Sequence, residues 1–102
     1  MMELEKTKLM NDLLDLYGVL LTDNQLEIME YYYMDDLSLS EIGENLNITR
    51  SAVHDAIKKS TNLLLNYESK LKLLEKENKL NELLNKSKDL SKEQLIEELK
   101  KI

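Results

Sequence analysis

The chain has no cysteine, no proline and no tryptophan, and only two glycines and one histidine in 102 residues. Each absence removes a class of chemistry. Without cysteine there is no thiol catalysis, no Cys-based zinc site and no disulfide, so packing alone must hold the fold. A single histidine, His54, argues against a Ser-His-Asp triad or a His-rich metal centre. Two glycines leave no room for a phosphate-cradling loop. No apolar run approaches the ~20 residues of a membrane-spanning helix. The N-terminus is acidic and amphipathic, unlike a signal peptide. These exclusions point to a soluble cytoplasmic protein that is not an enzyme, holds no metal or cofactor and does not insert into a membrane.

Much Leu, Lys and Glu remains, with few β-branched residues and no alternating run, so the expected fold is all-α. The formal net charge of -6 is unevenly spread. Residues 1–46 carry two lysines against eleven acids, a balance of -9. Residues 47–72 carry five basic groups, including Arg50, the one arginine, against two acids, a balance of +3. The remainder is neutral, with seven lysines against seven acids. An acidic body with one basic element disfavours tight non-specific binding to nucleic acid, which phosphate neutralisation drives, and leaves a small specific contact open.

The apolar spacing predicts helices. The first covers about Glu3 to Tyr17, with Leu9, Leu13, Leu16 and Leu20 as one stripe and Met10, Leu14, Tyr17 and Leu21 as a second. Gly18 is expected to end or bend it. A second helix opens at Thr22, whose spacing to Gln25 is that of a capping box. Leu26, Met29 and Tyr33 form its buried stripe. Tyr31, Tyr32 and Tyr33 cannot all point inward, so at least one ring is partly exposed; stacking on bases competes there with a structural role. Asp35 and Asp36 end this helix and show no third ligand or nucleophile that would make them a catalytic pair.

Ser38 and Glu41 make a second capping box, opening a short helix that turns Leu39, Ile42 and Leu46 to the core. Gly43 permits a second helix to approach closely. Asn47 tolerates the left-handed conformation of a tight turn, Ile48 is an apolar plug and Thr49 caps the next helix. That helix starts at Arg50, with Val53 and Ile57 inward and Arg50, Ser51, His54, Asp55 and Lys58 outward. Residues 38–59 thus have the layout of a helix-turn-helix. Plain packing units share this layout, so binding is a separate expectation. In a DNA complex Arg50 bonds guanine or phosphate, Ser51 and His54 reach base edges, and Lys58 and Lys59 hold the backbone. Thr49 and the amides after it can hold a phosphate.

The stretches Tyr32-Tyr33-Met34-Asp35-Asp36-Leu37-Ser38-Leu39-Ser40-Glu41-Ile42 and Ile48-Thr49-Arg50-Ser51-Ala52-Val53-His54-Asp55-Ala56-Ile57-Lys58-Lys59 resemble the YlxM family of small bacterial proteins. The resemblance runs from about residue 5 to 75. It implies a helix-turn-helix similar to region 4 of sigma factors. It also implies a regulatory or accessory role in the signal recognition particle pathway, because the family's genes lie beside those of that particle's GTPases. The chain departs from a common family pattern at Gly43, where many members carry Ala, and at Ser51, where many carry Gln. DNA is the expected partner. RNA or a ribonucleoprotein, namely the particle's RNA or its GTPase, is the alternative, and a protein adaptor without nucleic-acid binding is a third reading.

Beyond Ile57 the stripe Leu64, Tyr67, Leu71 and Leu74 carries the fourth helix to about Leu74, with a break near Glu75–Lys79. A fifth helix is expected over about Lys76–Lys86 and a sixth from Ser91, capped with Gln94 and burying Leu95, Ile96 and Leu99. The domain reading is a helix-turn-helix domain over 1–75 and a helical tail over 76–102. The tail is too thin for its own core, so it docks on the body or on a second copy; a homodimer is the expectation.

Overall fold

The computed structural model describes residues 2–102. Among them are six α-helices and no strand: α1 (Met2–Tyr17), α2 (Asp23–Tyr33), α3 (Leu39–Leu46), α4 (Arg50–Leu71), α5 (Leu73–Lys86) and α6 (Lys92–Lys100). The fold is all-α, as composition and periodicity predict. No helix of the described residues is long and apolar enough to cross a membrane, and no group of three or more His, Cys, Asp or Glu among them is placed to hold a metal. The chain divides into two compact units, one ending at Lys70 and the other spanning Leu71–Ile102.

The first unit buries apolar side chains from each of its four helices. α1 buries Met10, Leu13, Leu14 and Tyr17; α2 buries Ile28 and Met29; α3 buries Ile42; α4 buries Val53 and Leu64. The buried face of α1 is therefore the row through Met10, Leu14 and Tyr17, joined by Leu13. Leu9 and Leu20 of the other expected stripe are exposed, and Leu16 is half-buried. The cause is local. α1 ends at Tyr17, and Gly18–Leu20 form one tighter 3-10 turn. Three residues per turn instead of 3.6 breaks the phase and carries Val19 and Leu20 outward. The Tyr17 hydroxyl donates to Glu68 Oε1 at 2.6 Å, and its ring lies 6.0 Å from that of Tyr67, which ties α1 to the distal part of α4.

The helix starts follow the capping chemistry. Thr22 Oγ1 accepts from the Gln25 amide while Gln25 Oε1 accepts from the Thr22 amide, and Ser38 and Glu41 do the same. α2 closes on a left-handed Asp36 (φ 56°), with the Leu37 amide donating to the Tyr31 carbonyl at 3.0 Å. Two buried side-chain atoms among the described residues do not fit this pattern of satisfaction, Asn11 Oδ1 and Ser60 Oγ. Ser60 is fully buried in α4, and its hydroxyl oxygen has no hydrogen-bond partner. A buried, unsatisfied hydroxyl is destabilising, and Ala is the better helix former. Ser60→Ala is therefore expected to stabilise the chain by about 1 kcal/mol, raising Tm by roughly 4–8 °C in a scanning melt; an unchanged or lower Tm would mean that the hydroxyl is satisfied in solution.

The second unit departs from expectation at its start. α4 stops at Leu71, Lys72 adopts a left-handed conformation (φ 54°), and α5 begins at Leu73 rather than near Lys76. Nothing in the lysine side chain favours this conformation, which is why the apolar phase change at Glu75–Lys79 puts the break a turn too late. Within this unit only Leu74 and Leu83 are buried. α6 starts as predicted, with a reciprocal Ser91 and Gln94 cap. Of the residues expected to be buried there, Leu95 is half-buried, and Ile96 and Leu99 are exposed.

Candidate nucleic-acid interface

The turn between α3 and α4 is made by main-chain chemistry. Asn47 ends α3 at φ 56°, ψ 45°. Its amide donates to the Glu44 carbonyl at 3.4 Å, and the Ile48 amide donates to the Gly43 carbonyl at 2.9 Å. These two bonds are the Schellman pair that satisfies the carbonyls at a helix C-terminus. They require a residue tolerant of left-handed dihedrals, and Asn is one of the few besides Gly.

Gly43 is needed, as expected, where the turn and the start of the second helix come close. A Cβ there would lie 2.7 Å from the Ile48 carbonyl oxygen and 3.6 Å from the Arg50 amide nitrogen. The turn's own backbone folds over the glycine, so alanine at this position would force the turn to move. The same geometry corrects the reading of Ile48 as a plug. In a Schellman turn the residue after the left-handed position packs on the side chain five residues back. Here that residue is Gly43, which offers none, and Ile48 stays 38% exposed. The turn is held by its hydrogen bonds and by Thr49, whose Oγ1 accepts from the Ala52 amide at 3.0 Å.

Beneath the turn, Ile28, Ile42 and Val53 form a fully buried cluster joining α2, α3 and α4, flanked by the partly buried Leu39, Leu46, Ala56 and Ile57. This cluster fixes the roll of α4. With Val53 inward, Arg50, Ser51, His54, Lys58 and Lys59 are all exposed. At about 100° per residue, Arg50, His54, Lys58 and Ser51 share an arc of about 100° on the helix surface, and Lys59 lies about 80° past Ser51. Asp55 falls between Ser51 and Lys59 and is also exposed. Thr49 sits at the rim with its oxygen engaged in the cap.

Proximity along the chain is enough to group these residues. It does not reveal the residues that the fold brings beside them. Lys6 of α1 and Tyr32 and Tyr33 of α2 line a cleft together with His54 and Lys58. Lys6 is distant from α4 in sequence and carries no motif; the tyrosine run is the one signal that points here.

The arrangement is an exposed cationic helix start, set off from a short buttressing helix by a left-handed turn. The family described as "Putative helix-turn-helix protein, YlxM / p13 like" matches residues 4–102. The YlxM protein of Bacillus subtilis (strain 168) is 47% identical over 109 residues, covering 99% of both chains. A relative from Clostridium acetobutylicum is 47% identical over 100 residues, covering 87% of this chain and 86% of its own. One from Bacillus thuringiensis (strain Al Hakam) is 46% identical over 101 residues, covering 97% and 92%. With identity of this order carried from the first helix into the tail, the chain belongs to the YlxM / p13-like family of helix-turn-helix proteins.

Proposed function

We propose that the chain is a non-enzymatic, cytoplasmic regulatory protein that binds duplex DNA through the first turns of α4. What supports this most is the exposure of Arg50, Ser51, His54, Lys58 and Lys59 immediately after the bend at Asn47. A helix presented this way can lay its N-terminal residues in a major groove. Arg50 pairs with guanine O6 and N7 or with a phosphate, Ser51 and His54 meet base edges, and Lys58 and Lys59 meet backbone phosphates. Thr49 and the free amides of the first turn sit where a phosphate is held. Asp55 repels phosphate on the same surface, which penalises misaligned binding.

In this reading the activity serves the signal recognition particle pathway, a role supported by the likeness to the YlxM family. The chain also pairs with itself. Leu73, Leu80, Leu84, Ile96 and Leu99 are exposed in the second unit. Covering the part of each that is still exposed contributes about 1 kcal/mol, so several together are needed to sustain a dimer. A dimer presents two copies of α4 to half-sites about one helical turn apart, which offsets a small footprint per protomer.

The test is selection from a pool of random-sequence DNA duplexes, followed by affinity measurements across salt. The reading expects enrichment of a two-fold symmetric motif and a log-log salt slope of about -3 to -5, matching a few phosphate contacts per protomer. No enrichment and no binding at low salt would reject it. Enrichment of a single, asymmetric half-site would keep DNA binding and reject the dimer.

A further inference from the structure

Beside the exposed face of α4 lies a cleft of about 270 Å³, lined by the first four helices. Lys6 of α1, Tyr32 and Tyr33 of α2, and His54 and Lys58 of α4 all contribute to its lining. Leu39 and Ile57 supply apolar floor. Tyr32 is 36% exposed, and its ring meets that of Tyr33 edge-on, with centroids 4.8 Å apart and an interplanar angle of 83°. That contact sets the ring's orientation in advance, so a planar ligand stacking there costs little further ordering. Among the described residues Lys6 and Lys58 enter no ion pair, so their charge is available to a ligand. A second depression shares Lys6, Tyr32 and Tyr33 but is lined by Glu3 and Asp36. A polyanion is therefore drawn to the Lys58 side of the tyrosines and repelled from the other.

We propose that this cleft takes one unpaired nucleotide of the nucleic acid that α4 binds, with the base on Tyr32 and its phosphate between Lys6 and Lys58. The proposal rests on the duplex-binding reading above and adds a preference to it. The cleft lies just under the ~300 Å³ at which pockets for drug-sized ligands begin, a size suited to a single base. It combines a π-face with cations, the two elements by which proteins hold single-stranded nucleic acid. A paired base stays in its stack and cannot reach it, whereas a bulged or flipped base can. The preferred substrate is thus a duplex interrupted by an unpaired nucleotide. A free mononucleotide carries the same chemistry and is the other source to be separated.

The experiment compares a fluorescein-labelled 20-base-pair DNA duplex with the same duplex carrying one central bulged nucleotide, by anisotropy at fixed salt. In a parallel sample 2-aminopurine stands at the bulge. The bulged duplex is expected to bind about 10-fold more tightly, within the range of one base stacked on an aromatic ring, and the 2-aminopurine emission to be quenched on binding. Tyr32→Ala removes the preference and the quenching while leaving affinity for the perfect duplex unchanged; Tyr32→Phe keeps both. Equal affinity for the two duplexes, or a preference that survives Tyr32→Ala, overturns the proposal and leaves the duplex reading standing. Displacement of the bulged duplex by micromolar AMP or GMP assigns the cleft to a small molecule and also overturns it. Failure to bind either duplex defeats both readings.

Discussion

Reversing the charge at Arg50 and Lys58 together, as Arg50→Glu with Lys58→Glu, is expected to weaken duplex binding by about 100-fold or more at moderate salt. The effect should be large because the chain has so little positive charge to spare. Its net charge is -6, and its basic excess is confined to the segment beginning at Asn47. One bidentate Arg bond pair to guanine is worth about 1–3 kcal/mol, and removing a single phosphate interaction lowers the salt slope by about 0.9. Reversal goes further than deletion, since two carboxylates then face the phosphates. Both side chains are exposed and neither belongs to the buried interior, so helicity and Tm should not change. Lys100→Glu with Lys101→Glu alters net charge equally from the end of α6 and its C-cap and serves as the control, with affinity expected within about threefold of the parent. Equal losses in the two double variants would mean that global charge, not this face, governs the interaction. No loss in either would remove Arg50 and Lys58 from the interface.

The second large effect is expected from Ile42→Ala. Ile42 is fully buried and, with Gly43, forms the buried part of α3. α3 has eight residues, too few to persist without tertiary packing. Truncating Ile42 removes about 2–5 kcal/mol from a total that for domains of this kind is about 5–15 kcal/mol. It also vacates the point where Ile28 and Val53 meet beneath the turn, so the roll of α4 is lost together with stability. Urea titration should show the reduced midpoint, and duplex affinity should fall even at temperatures where the variant remains folded. Ile42→Val costs only about 0.5–1.5 kcal/mol and should keep binding intact. If Ile42→Ala stayed within about 1 kcal/mol of the parent, below the usual range for such a truncation, α3 would stand outside the cooperative core.

What can be read from the sequence is what depends on neighbours three or four residues apart. The Thr22, Ser38 and Ser91 caps pair with Gln25, Glu41 and Gln94 as their spacing predicts. Asn47 takes the left-handed conformation because its side chain tolerates it, and Val53 points inward because apolar spacing turns it there. Expectation and structure part where a distant or main-chain atom decides. Ile48 reads as a plug because its apolarity is visible and the missing side chain of its would-be partner is not. Leu20 leaves its expected stripe because a 3-10 turn changes the period after Tyr17. Lys72 breaks a helix with no chemistry of its own to announce it. The tyrosine and lysine cleft joins α1, α2 and α4 across long stretches of chain, and no local pattern encodes such a meeting. The tail differs for another reason: Ile96 and Leu99 have the spacing of a buried face, but periodicity does not say what covers it.

α4 is unbroken for 22 residues, from Arg50 to Leu71. At about 1.5 Å per residue it acts as a stiff strut of roughly 33 Å. Its near end carries the cationic face, and its far end carries Glu68 and Tyr67 against Tyr17. A tilt of about one degree at the near end moves the far end by about half an ångström at this length, a displacement to which a 2.6 Å hydrogen bond is sensitive. A load on the near end is therefore felt at the far end, and the Tyr17 hydroxyl sits where it would register.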